Sequence, residues 1–362
     1  MIRAARSIPS CRFFLELWLV AVVSIVMSLA QAPERSGPSQ ESGLQRLLEV
    51  EVSRFPATVG LYIKHLPTGE EAGIRDSEPV SSMSIIKIPI MIKAYQMADR
   101  GTLDLDQRVV LTRADIRSGS GILKFHAPGT TLTVRDLITY MIIVSDNSAA
   151  EMMIDRVGGR AALNDWLMNS DYTHTRIAST SPFRAAFERA VPEWKNLTTE
   201  EIMGLQLAGW NDPLFELYRP LFSGERQQLI AQAREPRVLA KIAEEWKRDL
   251  EKDGLTSPRE AGRMLEAIEQ GTAASRRSSA EMKLALRRQI LSGGISRFVN
   301  IRVGHKTGAD AGVQHDVGLL YAKSGTIVFA FFSVDIKEPS GEFEDRIARL
   351  AKVVVDYFDG AN

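Results

Sequence analysis

A serine and a lysine in the stretch SSMSIIKIPI (81–90) have the types and spacing needed for nucleophilic catalysis. Ser84 and Lys87 are three residues apart, so on a helix they share one face. A lysine held beside a serine in a half-apolar cleft loses hydration, which favours its neutral amine and lets it act as a base toward the hydroxyl. The structural alternative is a capping serine and a lysine whose aliphatic stem covers apolar surface.

Two further motifs carry polar side chains suited to the same chemistry. The S-D-N motif (145–147) separates two apolar helical patterns, where its hydroxyl can relay a proton and its amide can hold a substrate, although S, D and N also favour helix caps. The K-T-G motif (306–308) lies on a predicted strand, where lysine and threonine can bind a carboxylate. A lysine that protects a sheet edge is the structural alternative. All three motifs in this order arise by chance in roughly one chain in a few hundred.

The elements that must position these motifs predict an α+β fold. Strand-like runs occur near both ends of the chain, at 59–66 and again between 301 and 334, and helical patterns fill the middle. We expect an antiparallel sheet flanked by the terminal helices, formed by residues 44–83 and 255–362. Residues 84–254 are expected to form an all-α lobe, and a cleft between lobes is a common place for a site.

The N-terminus has the pattern of a secretory signal peptide. Residues 1–30 combine three arginines, an apolar run and small residues at a cleavage site, with cleavage expected after Ala30. An uncleaved membrane anchor is the alternative, because about eighteen apolar residues can just span a bilayer. Residues 31–43 read as a linker. The expected location is therefore periplasmic or secreted, with no membrane contact in the mature form.

Composition excludes several classes of function. The chain has 45 basic and 45 acidic residues, a balance that gives no sign of nucleic-acid binding. The only cysteine is Cys11, in the predicted signal peptide, so the mature chain has no disulfide and no Cys/His zinc site. We expect no metal or cofactor, and a monomer.

S-x-x-K, S-D-N and K-T-G, in this order, form the set found in class A β-lactamases and penicillin-binding proteins. The sequence resembles class A β-lactamases beyond these motifs, in SMSIIKIPIMIKAY, in GSGILKFHAPGTTLTVRDLITYMIIVSDNSAAEMMIDRVGG and in GHKTG. The resemblance covers roughly positions 82–180 and 255–358. It implies a serine β-lactamase-like fold with a catalytic serine.

The resemblance also implies a role for each motif residue in the attack on the substrate. Ser84 would be the nucleophile, Lys87 would take its proton, and Ser145 would pass that proton to the leaving nitrogen. The oxyanion would be held by the backbone N–H groups of Ser84 and Ala309.

The remaining motif residues would bind the substrate. Asn147 would hold its side-chain amide, and Lys306 and Thr307 would bind its carboxylate. Gly308 would let the backbone of the strand approach the ligand.

The sequence departs from the family at the residue that hydrolyses the acyl-enzyme. Family members use a loop glutamate in an E-x-x-L-N pattern, which this chain lacks. One register places Ser181 at the glutamate position and Ala185 at the asparagine position, and a second places Arg184 and Glu188 there. Glu188 and Glu193 are the nearest carboxylates and are candidates for the missing acid/base, although solvated loop acids are the commoner case. Slow deacylation is expected.

Two other departures surround the expected site. The chain is longer than the family between S-D-N and K-T-G, and the excess falls at 197–252. This insertion could cover the cleft, bind a protein partner through its apolar segment GWNDPLFELYRPLF, or pack as helices with Trp210 and Phe215 in their core. Near K-T-G, Asp310 should weaken anionic substrates, and His315 should be structural or supply positive charge at low pH.

The sequence therefore predicts an exported serine hydrolase that is acylated at Ser84 by β-lactams or related acyl substrates, with β-lactam hydrolysis limited by deacylation. The alternatives are a cell-wall D-Ala peptidase or esterase, and a covalent penicillin-binding or sensing protein without turnover.

Overall fold

The computed structural model describes residues 42–117, 119–177, 182–252, 254–291, 294–310 and 312–360. The predicted signal peptide (1–30), with Cys11, and all but the last two residues of the predicted linker lie outside these ranges. Among the helices of the described ranges, none combines the length and the apolar character that crossing a bilayer requires.

The strands from the two ends of the chain form one antiparallel sheet, as the sequence predicts. In chain order the strands are β1 (Thr58–His65), β2 (Glu71–Ile74), β3 (Val80–Ser81), β4 (Arg108–Val110), β5 (Thr131–Thr133), β6 (Leu255–Thr256), β7 (Arg302–Asp310), β8 (Val313–Ala322) and β9 (Gly325–Val334). The main sheet has the spatial order β2-β1-β9-β8-β7, and its neighbouring strands are antiparallel. Strand β7, which carries K-T-G, is therefore an edge strand.

Helices occupy most of the chain between β3 and β7. In chain order the helices are α1 (Gly43–Val52), α2 (Lys87–Asp99), α3 (Val134–Ile143), α4 (Asn147–Arg156), α5 (Gly159–Asn169), α6 (Pro182–Ala190), α7 (Thr199–Gly209), α8 (Phe215–Tyr218), α9 (Gln227–Ala233), α10 (Pro236–Lys252), α11 (Pro258–Gln270), α12 (Arg276–Arg287) and α13 (Ser340–Asp359). Helix α11 begins at a clear local signal, because Ser257 caps it and Pro258 occupies its first position.

The central strand β9 is mostly apolar because both faces of the sheet are covered. Its side chains alternate between two buried clusters. Val328, Ala330 and Phe332 join the cluster that contains helices α2, α3, α4 and α11. The neighbouring positions Ile327, Phe329 and Phe331 join the cluster formed with α1 and α13. The predicted α+β class, an antiparallel sheet flanked by helices with further helices beside it, is confirmed.

The inserted segment 197–252 is helical and packs with the residues just before it in a third apolar cluster. Helices α6, α7, α8 and α10 contribute to it, and Trp194, Phe215 and Tyr218 are buried in it. The expectation that Trp210 also lies in a core is wrong, because 48% of this residue is exposed. Trp210 follows the last residue of α7 and faces a cavity instead.

Candidate active site

A tight turn places Ser84 directly before a buried helix. Residues Met83–Ile86 form a single 3₁₀ turn, and α2 continues from Lys87. Met83 has a φ of 45°, a left-handed conformation that is costly for a residue with a side chain. The turn leaves Ser84 half-buried while the apolar residues of α2, among them Ile88 and Ile90, hold the helix in the core. Ser84 and Lys87 therefore share one face, as their spacing predicts.

The S-D-N motif forms the second part of the site. Ser145 has a φ of 55°, so the chain reverses sharply between α3 and α4. Asp146 caps α4 by accepting from the backbone N–H of Ala149, and it also accepts from the N–H groups of Ile122 and Leu123 at 2.6 and 2.8 Å. This buried carboxylate therefore fastens the 119–123 loop to the S-D-N turn.

Lys87 connects the serine to the S-D-N turn. Its Nζ lies 3.0 Å from Ser84 Oγ, 2.6 Å from the carbonyl oxygen of Ser145, 3.1 Å from Ser145 Oγ and 2.8 Å from Asn147 Oδ1. Lys306 Nζ approaches from strand β7 and lies 3.0 Å from Ser145 Oγ. The Ser145 hydroxyl is thus held between two buried amines.

Burial favours the neutral forms of both lysines. It lowers the pKa of Lys87 to about 7, against smaller opposing effects of the carboxylates of Asp146 and Glu151. The pKa of Lys306 is lowered well below its ordinary value by burial and, secondarily, by the charge of Lys87. A lysine with a pKa near neutrality can accept a proton from a serine hydroxyl, which an ordinary surface lysine cannot do at pH 7.

The K-T-G strand packs closely against the turn that carries Ser84. A Cβ on Gly308 would lie 3.1 Å from the backbone nitrogen of Ser84 and 3.0 Å from Met83 Cβ, so only glycine fits without a shift. Ala309 follows Gly308 and lines the same cavity as Ser84. Lys306 is fully buried, and its Nζ also donates to the carbonyl oxygen of Thr307. Thr307 is half-buried.

A cavity of about 540 Å³ opens beside Ser84. Ser84, Lys87, Asn147 and Ala309 line it, whereas Ser145, Lys306, Thr307 and Gly308 are not lining residues. Ser145 is connected to the cavity through its contact with Lys87, and Lys306 is connected to it through Ser145.

The inserted helices form the opposite wall of this cavity. Its lining side chains are mostly apolar and come from α7, α10 and the residue after α7: Met203, Gln206, Trp210, Leu239, Ile242, Ala243 and Trp246. This placement agrees with a role in covering the cleft, and the buried cluster around Phe215 agrees with packing as helices.

The loop carboxylates expected near the site do not line this cavity. Glu188 is half-buried on α6, and Glu193 is exposed in the turn that follows it. Ser181 lies outside the described residues, and only the backbone of Arg184 and Ala185, in α6, is described.

The residues around K-T-G have different environments. Asp310 lines the cavity. His315 is fully buried, donates from Nε2 to the carbonyl oxygen of Ser81 and accepts at Nδ1 from the N–H of Ser333. Burial lowers the pKa of His315 to about 4, so this ring is neutral and structural at ordinary pH. The described residues contain no group of His, Cys, Asp or Glu side chains that could hold a metal ion.

Sequence reasoning missed several polar residues of the cavity, among them Ser120, Glu151 and Arg160. Ser120 Oγ lies 2.7 Å from the carbonyl oxygen of Ser145 and 3.2 Å from Asn147 Oδ1. Glu151 and Arg160 line the cavity and form an ion pair at 2.7 Å. The signal for Glu151 was available, because it follows Asn147 by four residues and therefore shares its face of α4.

Comparison with known proteins decides the family. A model described as the beta-lactamase enzyme family matches residues 41–358. This chain belongs to that family.

The similarity to individual members of the beta-lactamase family is low. The chain is 27% identical to extended-spectrum beta-lactamase PER-1 of Pseudomonas aeruginosa over 144 residues, which is 39% of this chain and 47% of PER-1. It is 21% identical to beta-lactamase VEB-1 of the same organism over 331 residues, or 88% of this chain and 92% of VEB-1. The match to PER-1 therefore spans about half the length of that relative.

A solved structure shows that the family fold is shared. The structure of PBP-A has a TM-score of 0.64 to this chain at 21% identity, and the match covers 88% of this chain and 97% of PBP-A. The predicted resemblance to class A β-lactamases is thereby confirmed at the level of family and fold.

Proposed function

We propose that this protein is a serine hydrolase of the class A β-lactamase type, acylated at Ser84 by β-lactams or related acyl substrates. One observation carries the proposal: the buried amine of Lys87, with a pKa of about 7, lies 3.0 Å from Ser84 Oγ. This arrangement supplies a nucleophile together with its base.

The contacts support a sequence of proton transfers for acylation. Neutral Lys87 takes the proton of Ser84 as Oγ bonds to the carbonyl carbon of the substrate. The bond between that carbon and its nitrogen then breaks, and Ser145 gives its proton to the nitrogen. Lys87, 3.1 Å from Ser145 Oγ, returns a proton to Ser145 and becomes neutral again. The N–H groups of Ser84 and Ala309 are proposed to stabilise the oxyanion.

The proposed substrate contacts receive different degrees of support from the structure. Asn147 lines the cavity, which agrees with a role in holding a substrate amide. Lys306 is buried behind Ser145, so its position supports proton transfer at Ser145 more directly than contact with a substrate carboxylate. Thr307 is half-buried and is the more accessible candidate for the carboxylate.

Intact-mass measurement over time with a penicillin tests the proposal. The expected result is a mass increase equal to that of the penicillin, formed within the dead time of mixing or soon after and then lost as the acyl-enzyme hydrolyses. If neither a penicillin nor a chromogenic cephalosporin adds mass under any condition of pH and concentration, the proposal is wrong.

Two other functions are alternatives, and kinetic or mass measurements distinguish each of them from the proposal. A cell-wall D-Ala peptidase or esterase would have a higher kcat/KM for D-Ala-D-Ala peptides or esters than for β-lactams. A covalent penicillin-binding or sensing protein would keep the adduct without turnover.

Gly308 is expected to be essential for the position of the nucleophile. The Gly308→Ala substitution introduces a methyl group against the backbone of Ser84, so we expect acylation by penicillin to slow by roughly 10- to 100-fold. Gly341→Ala is the control, because a Cβ there meets nothing within 4 Å. Stopped-flow or quenched mass measurements give the rates, and equal rates for Gly308→Ala and wild type would contradict this reading.

The wall formed by the inserted helices is expected to bind the acyl side chain of the substrate. The Trp210→Ala substitution removes a large aromatic surface from this wall, and we expect KM for a penicillin with an aromatic side chain to rise about 10-fold. The KM for 6-aminopenicillanic acid, which lacks the side chain, should change little. Phe298→Ala is a matched control, since Phe298 is also about half exposed, at 41%, and does not line the cavity. Equal changes for both substrates would argue against a side-chain site.

We also propose that the protein is exported, on the basis of the signal-like sequence at 1–30. Expression in a bacterium should release a mature chain that begins at Gln31, which N-terminal sequencing of the periplasmic or secreted fraction detects. Recovery of the chain with Met1 intact in the membrane fraction would instead indicate an anchor. The monomeric state and a protein partner for 197–252 stay predictions that gel filtration and affinity capture would test.

A further inference from the structure

One carboxylate of the cavity has no role in the acylation steps above. Of the residues that line the cavity in the described part of the chain, only Glu151 and Asp310 are carboxylic acids. Asp310 is exposed on the edge strand, whereas the Glu151 side chain is only 18% exposed. A buried acid in a cavity with a nucleophilic serine is a candidate for acid–base work.

The helix geometry places Glu151 on the same side of the site as the reacting groups. Asn147, one turn earlier on α4, lies 2.8 Å from Lys87 Nζ through its Oδ1. Glu151 is close enough to Lys87 for its charge to favour the ammonium form of that lysine. The carboxylate therefore lies one helical turn beyond the residue that contacts Lys87, and it lines the same cavity as the Ser84–Lys87 pair.

The partner of Glu151 contributes further donors at the same place. Arg160 Nη2 donates to Glu151 Oε1 at 2.7 Å, while Arg160 Nε and Nη1 are buried and have no hydrogen-bond partner among the described residues. Buried donors of this kind are normally satisfied by water or a ligand. The region next to the carboxylate is thus built to hold a polar group such as the water that a hydrolysis step requires.

We propose that Glu151 is the general base that hydrolyses the acyl-enzyme, taking the place of the loop glutamate that this sequence lacks. This inference rests on the proposed function, because it concerns the second half of that reaction. It supplies a base for deacylation in a family member that lacks the E-x-x-L-N motif. The candidate loop acids Glu188 and Glu193 do not line the cavity, whereas Glu151 does.

The proposed step balances as follows. Glu151 takes one proton from a water molecule, and the oxygen of that water bonds to the carbonyl carbon of the ester formed with Ser84. The bond between that carbon and Ser84 Oγ then breaks. The proton held by Glu151 passes through solvent and Lys87 Nζ, 3.0 Å from Ser84 Oγ, to the departing oxygen. The products are the free acid and the original hydroxyl.

The groups around Glu151 set the pH at which this base works. Burial raises the pKa of Glu151 above its ordinary value, and the cations Arg160 and Arg117 oppose that effect. Asp155 adds a smaller effect in the same direction as burial. A base must be deprotonated to act, so deacylation by the wild type should decline as pH falls through the pKa of Glu151.

The Glu151→Gln substitution tests the inference by separating the two halves of the reaction. We expect acylation by penicillin to stay within about 3-fold of wild type and deacylation, followed as loss of the adduct mass, to slow by about 10²- to 10³-fold. Glu188→Gln and Glu193→Gln are matched controls that should deacylate at the wild-type rate.

A second variant keeps the test decisive if Glu151→Gln folds poorly. Arg160→Gln removes a cation that lowers the pKa of Glu151, so this pKa should rise. The acid limb, meaning the low-pH fall of the deacylation rate plotted against pH, should then move to higher pH. A residue with a purely structural role would not move that limb.

The outcomes distinguish the inference from the function on which it rests. A wild-type chain that forms no adduct overturns both. An adduct whose lifetime is unchanged in Glu151→Gln, a loss of acylation equal to the loss of deacylation, or an acid limb that Arg160→Gln leaves in place overturns the role of Glu151 alone.

Discussion

The Ser84→Ala variant is expected to form no covalent adduct with a penicillin under conditions in which the wild type is fully labelled. The substitution removes only Oγ, the atom that would bond to the acyl carbon, and leaves Lys87 in contact with Ser145 and Asn147. Because no other hydroxyl occupies this position, we expect the loss of hydrolysis to be about 10⁴-fold or more, close to the background rate. Intact-mass measurement and hydrolysis of a chromogenic cephalosporin both report it.

A serine close by in the sequence provides the control for this prediction. Ser81 Oγ is buried and has no hydrogen-bond partner in the part of the chain that the structure describes, so Ser81→Ala should leave both labelling and stability nearly unchanged. Peptide mapping of the wild-type adduct should locate the added mass on the peptide that contains Ser84. An adduct on Ser84→Ala with wild-type kinetics would show that another residue is the nucleophile.

Replacing Lys87 by methionine is expected to slow acylation by about 10³-fold while preserving the fold. The side chain keeps its length and apolar stem but loses the group that accepts the serine proton. Ser120 Oγ remains within hydrogen-bonding distance of the Ser145 carbonyl oxygen and Asn147 Oδ1, so these acceptors are not left isolated. Thermal unfolding should therefore shift by only a few degrees.

Lys93→Met is the matched control because it makes the same change on the same helix. The Lys93 amine lies 5.6 Å from the centre of the Trp166 ring and does not line the cavity. We expect this variant to acylate at the wild-type rate. Equal acylation by Lys87→Met and wild type would rule out Lys87 as the base.

The same lysine predicts the pH dependence of acylation in the wild type. With a pKa of about 7, Lys87 is mostly an ammonium at pH 6 and mostly a neutral amine at pH 8, and only the amine accepts a proton. The acylation rate should therefore rise about 10-fold between these values and level off above them. The neighbouring carboxylates of Asp146 and Glu151 raise the pKa of Lys87 and so move the midpoint to higher pH. A rate that is flat from pH 6 to pH 8 would contradict a titrating base.

Much of the fold could be predicted because local sequence signals and tertiary packing agree. The alternating and apolar runs that predict strands at both ends of the chain form one sheet in the structure. Helix α11 begins at Ser257-Pro258, where a capping hydroxyl is followed by proline. The spacing of Ser84 and Lys87 was sufficient for their contact, since a helix fixes the relation between residues three apart.

The surroundings of the catalytic pair could not be predicted in the same way. The expectation for Trp210 failed because an aromatic residue among apolar neighbours looks the same in sequence whether it faces a core or a cavity wall. Glu188 and Glu193 were nearest to the missing glutamate along the chain, but distance along the chain does not determine which acid reaches the cavity.

The sequence by itself determined the order and identity of the three motifs, the family they indicate and the helices and strands that carry them. Only the tertiary structure decided that Lys87 and Lys306 meet at Ser145, that the inserted helices line the cavity, and that Glu151 lines the same cavity as the nucleophile. The physical reason is that burial and proximity depend on segments far apart in the chain. These two quantities turn an ordinary lysine into a base and an ordinary glutamate into a candidate catalyst.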